Sequence, residues 1–108
     1  MLYWSLLIAA IVFEVFGTVS MKLSNGMEKF LPSLLIFFFY GCSFIALTFA
    51  LKKIDVGVAY AVWSGVGTAL VALIGFFYFR EIVTVQKIFF ITLIIAGVAG
   101  LYMTEAVH

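Results

Sequence analysis

Residues 2–21 read LYWSLLIAAIVFEVFGTVSM, an apolar run broken by one charge, Glu14, and ended by Lys22. At 1.5 Å per residue a helix over this run is about 30 Å long, the thickness of a bilayer's hydrocarbon core. Three more such runs follow, at about residues 31–51, 57–79 and 86–104. The first two are separated by Ser24-Asn25-Gly26-Met27-Glu28-Lys29, with turn chemistry at Asn25-Gly26, and Pro32 falls where a helix start tolerates it. Lys52-Lys53 closes the second run, Ile54-Asp55-Val56-Gly57 leads into the third, and Arg80-Glu81 marks its end. The fold class expected is an all-α membrane protein, with residues 1–108 forming one domain of four transmembrane helices. The connections suit only antiparallel neighbours, so the helices run up, down, up, down.

Composition points the same way. Of 108 residues, 67% are hydrophobic and 10% charged, with mean hydropathy +1.31. A soluble domain carries about 25% charged residues and could not hide this much apolar surface, so the solvent is lipid. The spans leave no room for a soluble catalytic domain. There is no nucleophile–base pair, ligand cluster or phosphate loop, so neither an enzyme nor a cofactor is expected. The net charge of +1 gives no basis for nucleic-acid binding. Cys42 has no second cysteine to pair with and reads as a small apolar residue, while the single histidine, His108, is terminal, which argues against a metal site. The N-terminal run lacks a basic flank and a cleavage site, and it reads as a retained helix rather than a signal peptide. Tyr3, Trp4 and Tyr102 suit the membrane interface.

Orientation is weakly specified. Lys52 and Lys53 share the side of the N-terminus, whereas Lys22, Lys29, Arg80 and Lys87 lie on the other. A chain with so small a bias in basic residues could insert both ways, which would allow an antiparallel homodimer.

Glu14 carries the functional argument. It stands about 18 Å into the first span, whereas Glu28, Asp55, Glu81 and Glu105 lie in connections or at a terminus. An ionised carboxylate at that depth costs at least ~3 kcal/mol, so Glu14 must be protonated, paired or facing a wet cavity. No Lys or Arg lies at similar depth to pair with it. Ala10, Gly17 and Thr18 flank it at helical spacing and open space beside it, although small residues equally serve helix packing.

The third span contributes Gly57-Val58-Ala59-Tyr60-Ala61-Val62-Trp63-Ser64-Gly65-Val66-Gly67, with Tyr60, Trp63, Ser64 and Gly67 on one face. A tryptophan that deep is away from its usual interfacial place. Packing is its ordinary role, but an indole face beside a carboxylate also holds an organic cation. Tyr60 could donate a hydrogen bond to Glu14, and Gly65 with Gly67 could form a bend. Tyr40 and Ser43 of the second span share a face, a weaker signal. A carboxylate taken by either a proton or a cation couples the two fluxes by mutual exclusion. One acid in a thin four-helix bundle cannot enclose a large pocket, so a dimer supplying two is the natural completion.

In these residues the chain resembles the small multidrug resistance family of bacterial transporters, over essentially its whole length. The likeness rests on Glu14 with Gly17-Thr18, Met21-Lys22-x-Ser24-x-Gly26, Pro32-Ser33, Tyr40 with Ser43, the Gly57–Gly67 segment and Glu81. It implies an antiparallel, dual-topology homodimer in the bacterial inner membrane that exchanges protons for organic cations by alternating access. Glu14 would be shared between proton and substrate. Tyr60 and Trp63 would bind alongside it, and Ala10, Gly17, Thr18, Tyr40, Ser43 and Ser64 would line the pocket. The fourth helix would pack the dimer through Ala96, Gly97 and Gly100, although Phe90 stands where members often have a glycine seven before Gly97. Arg80 departs similarly from a common glycine. Guanidinium exporters of the family resemble a pattern with Trp three residues after the glutamate. Gly17 here is closer to the exporters of polyaromatic and quaternary ammonium cations. Guanidinium export is the alternative within the family, and a non-transporting membrane subunit or lipid-carrier component the alternative outside it.

Overall fold

The structure, a computed structural model, describes residues 2–107, with the side chains of 105–107 left aside. His108 and the Glu105 side chain therefore lie outside the described residues. The chain forms four helices: α1 Leu2–Leu23, α2 Phe30–Ala50, α3 Val56–Phe77 and α4 Val85–Val107. Each contains an 18-residue window of mean hydropathy between 1.7 and 2.1, long and apolar enough to cross a membrane.

The helix ends have local causes. α1 runs two residues past Met21, because buried Ser24 terminates it from beyond. The Ser24 hydroxyl donates to the Met21 carbonyl at 2.8 Å and accepts the Met27 N–H at 3.2 Å. The chain then reverses through Asn25, Gly26 and Met27, all at positive φ. Pro32 sits in the first turn of α2, where its missing N–H has no intrahelical acceptor to lose. α3 stops at Phe77 rather than Phe79. Arg80 lies in the left-handed region at φ +56, and the Glu81 N–H returns to the Gly75 carbonyl at 2.9 Å. Thr84 opens α4 by accepting the Lys87 N–H at 3.1 Å.

α1 is the central helix, packed against α2 and α3, while α4 packs on α3. Leu7, Ile11 and Val15 recur every fourth residue on α1 and are buried against Ala50, Ile54, Ala59 and Val62. Phe39 joins α2 to α1, its ring 6.3 Å from Phe13 and 5.5 Å from Phe16. Trp4 and Tyr102, expected at the interface, meet edge to face at 4.8 Å and so tie the far end of α4 to the start of α1. The four helices make a slab 46 × 35 × 17 Å, with radius of gyration 14.9 Å against about 13 Å for a compact globule of this length. Such a shape leaves most large apolar side chains outward, and no described α4 residue is fully buried. In water that surface would be untenable; in lipid it is the ordinary outer face.

Candidate functional site

Glu14 projects from α1 toward α3. Its Oε1 accepts a hydrogen bond from Thr18, one turn along, at 3.0 Å. Its Oε2 is buried and has no hydrogen-bond partner among the described residues. Across from it lies Gly67, where a Cβ would stand 2.6 Å from Oε2. The carboxylate therefore occupies the space that a side chain at Gly67 would fill. A buried polar oxygen without a donor is costly unless something from outside completes it.

The second helix supplies the next layer. The Tyr40 hydroxyl lies 2.5 Å from Thr18 Oγ1 and 3.9 Å from Met21 Sδ. Gly17 makes this possible: a Cβ there would come within 3.0 Å of two Tyr40 ring carbons. Four residues earlier on α1, the Ala10 carbonyl accepts from Ser43 at 2.6 Å, and Ser43 Oγ in turn accepts from Trp63 Nε1 at 3.4 Å. Trp63 stands between Tyr60 and Phe44, with ring centroids 5.3 and 6.2 Å away. The result is a carboxylate flanked by hydroxyls and, about a turn away along the helices, an aromatic wall.

The structure thus groups Glu14, Gly17, Thr18, Tyr40 and Gly67, and separately Ala10, Ser43, Tyr60 and Trp63. Several expectations change in detail. Within one chain, Thr18 rather than Tyr60 donates to Glu14; Tyr60 is 59% exposed and lies against Trp63. Ala10 is fully buried within one chain, and its carbonyl accepts from Ser43. Ser64 turns its hydroxyl to the Ala61 carbonyl of its own helix at 3.4 Å. α3 is one uninterrupted helix through Gly65 and Gly67, and both glycines mark close approach. A Cβ at Gly65 would come within 2.5 Å of Val98 on α4. Ala96, Gly97 and Gly100 lie on the exposed surface of α4, with open space beside both glycines.

One feature was missed in the sequence. A cavity of about 230 Å³ opens beside Thr18, with Lys22, Phe79 and Glu81 among its walls. The Glu81 carboxylate folds over Gly75, again into the space of an absent Cβ. The left-handed turn at Arg80 aims Glu81 there, and an apolar run followed by Arg-Glu gives no sign of such a turn.

Four apolar spans, with one partly buried acid inside the first of them, define a multi-pass membrane protein. The sequence profile described as Small Multidrug Resistance protein matches residues 2–94. The chain is 58% identical over 104 residues to the uncharacterized membrane protein YvaE of Bacillus subtilis, covering 96% of this chain and 87% of that one. It is 45% identical over 97 residues to the multidrug resistance protein EbrB of the same organism, covering 90% and 83%. It is 38% identical over 104 residues to the quaternary ammonium compound-resistance protein QacF of Klebsiella aerogenes, covering 96% and 94%. The chain belongs to the small multidrug resistance family of bacterial membrane proteins, which are not enzymes.

Proposed function

We propose that this chain is a proton-coupled antiporter that exports hydrophobic, aromatic and quaternary ammonium cations by alternating access, with Glu14 holding either the proton or the cation. The observation that carries this reading is the buried Glu14 Oε2, which no described donor reaches. A proton on the carboxyl group removes its charge and an organic cation offsets it, and each excludes the other. The aromatic wall of Trp63 and Tyr60 suits a cation with an apolar body. The names of EbrB and QacF, a multidrug and a quaternary ammonium resistance protein, support the substrate class.

The working unit is an antiparallel homodimer in the cell membrane. Support comes from the thin slab, the exposed Tyr60 face and the uncovered α4 surface at Ala96, Gly97 and Gly100. A second copy would bring a second Glu14 and close the site. Gly17 favours aromatic cations over guanidinium, because a tryptophan there would take the place of the Tyr40 ring.

The test is transport in proteoliposomes. Wild-type protein is expected to drive tetraphenylphosphonium uptake with an imposed proton gradient. Glu14→Gln is expected to insert normally and lose coupled transport. Unchanged coupled transport by that variant, or preference for guanidinium in the wild type, contradicts the proposal.

A further inference from the structure

The hydroxyls beside Glu14 carry fewer hydrogens than they have neighbours, and this limits how they can bond. Thr18 has one hydroxyl hydrogen and two oxygen neighbours, Glu14 Oε1 at 3.0 Å and the Tyr40 hydroxyl at 2.5 Å. Tyr40 has one hydrogen and two neighbours, Thr18 Oγ1 and Met21 Sδ at 3.9 Å. An ionised carboxylate only accepts. With Glu14 ionised, Thr18 donates to Glu14, Tyr40 donates to Thr18, and the Met21 sulfur receives nothing.

Protonation reverses the chain. A proton on Oε2 would be a buried donor without an acceptor, whereas one on Oε1 finds Thr18. Glu14 then donates to Thr18, Thr18 donates to Tyr40, and Tyr40 turns to the thioether, a weak acceptor. Each hydroxyl keeps its own hydrogen and rotates about its C–O bond. The single proton gained or lost at Glu14 exchanges with solvent and does not travel through the hydroxyls.

We propose that Thr18 and Tyr40 form a reversible hydroxyl relay whose direction registers the protonation of Glu14 on α1 and transmits it to α2. They act as positioning residues in the exchange proposed above, on which this inference rests. The protonated form adds a Tyr40–Met21 link between α2 and the end of α1, and arrival of a cation releases it. The other groups around the relay are few. α3 presents Gly67 to the carboxylate, while Lys22 and Glu81 share the cavity beside Thr18. Gly17 is part of the device, since only a bare α1 surface admits the Tyr40 ring this close.

The test is nuclear magnetic resonance of the full chain in lipid bilayers, with tyrosine Cζ and glutamate Cδ labelled and Tyr40 assigned through Tyr40→Phe. In the wild type the Tyr40 signal is expected to move with pH at the midpoint of the Glu14 carboxyl. In Glu14→Gln it is expected to stay at one position across the whole pH range, because the amide does not titrate. In Thr18→Val, Glu14 is expected to titrate while Tyr40 stays flat, and Thr18→Ser is expected to restore the response. A wild-type Tyr40 signal that ignores Glu14, or one that still follows it in Thr18→Val, overturns the relay. The wild-type comparison needs no variant to fold beyond the assignment. Cation-driven proton release from the same samples scores the exchange separately, so either idea can fail without the other.

Discussion

Glu14 and Gly67 interlock: the glutamate Oε2 occupies the place where a Cβ on Gly67 would stand, 2.6 Å away. The residue that makes room for the Glu14 carboxyl group thus has no side chain, and it lies on a helix two spans further along the chain. Gly67→Ala must push the carboxylate aside or part α1 from α3. Tetraphenylphosphonium affinity is expected to fall about tenfold, equivalent to ~1.4 kcal/mol. Equilibrium binding to purified protein measures it, and unchanged affinity would show that the carboxylate is not held there.

Gly17→Trp makes a sharper test of selectivity. Even the first carbon of a side chain at this position meets the Tyr40 ring at 3.0 Å. The indole is expected to displace Tyr40 and remove the phenol from Thr18. Transport of tetra-aryl cations is expected to drop by at least about tenfold (~1.4 kcal/mol), with membrane insertion retained. Competitive uptake of tetraphenylphosphonium and guanidinium reads out the change.

Ser43→Ala tests the second cluster. Ser43 is fully buried, donates to the Ala10 carbonyl and accepts from the Trp63 indole. Removing the hydroxyl takes the acceptor from the Trp63 indole N–H and a second hydrogen bond from the Ala10 carbonyl, at a cost of about 1–3 kcal/mol. A lower thermal midpoint in detergent is expected, with a blue shift of tryptophan emission as the indole N–H loses its acceptor.

Arg80→Gly should act in the opposite direction. Arg80 sits at φ +56, a conformation that costs an L-residue with a side chain roughly 1–2 kcal/mol and glycine almost nothing. The thermal midpoint is expected to rise. The same change removes one of four basic side chains from the side opposite the N-terminus, so reporters fused to the C-terminus should show a shifted ratio of orientations.

Much of the fold is legible in the sequence, because a membrane leaves few alternatives. Runs of apolar residues as long as 2–21 have one solution in lipid, a helix, and short links leave little choice of neighbour. Helix ends were less readable. The left-handed turn at Arg80 is held by a backbone bond to Gly75, and nothing in an Arg-Glu pair announces it. Some neighbours of Glu14, such as Gly17, Thr18 and Tyr40, were legible, and their hydrogen bonding was less so. Glu14 stands out because its charge is expensive at that depth. Periodicity places Thr18 one turn from Glu14, whereas whether Tyr60 reaches it depends on the rotation of α3, which periodicity does not give. Glycines were the least readable. Gly65 and Gly67 suggest a bend by composition, but their contacts are with Val98 and Glu14.

In the proposed exchange one carboxylate, Glu14, serves proton and cation in turn. The most direct measurement is proton release from lightly buffered, purified protein when tetraphenylphosphonium is added, followed across pH. The expected result is release of protons at pH values where Glu14 is protonated before the cation arrives. Cation affinity should weaken as the pH is lowered, because protons then compete for the same oxygens. Both effects should vanish in Glu14→Gln. Cation binding without proton release and with the same affinity at every pH, or release that persists in Glu14→Gln, would contradict it.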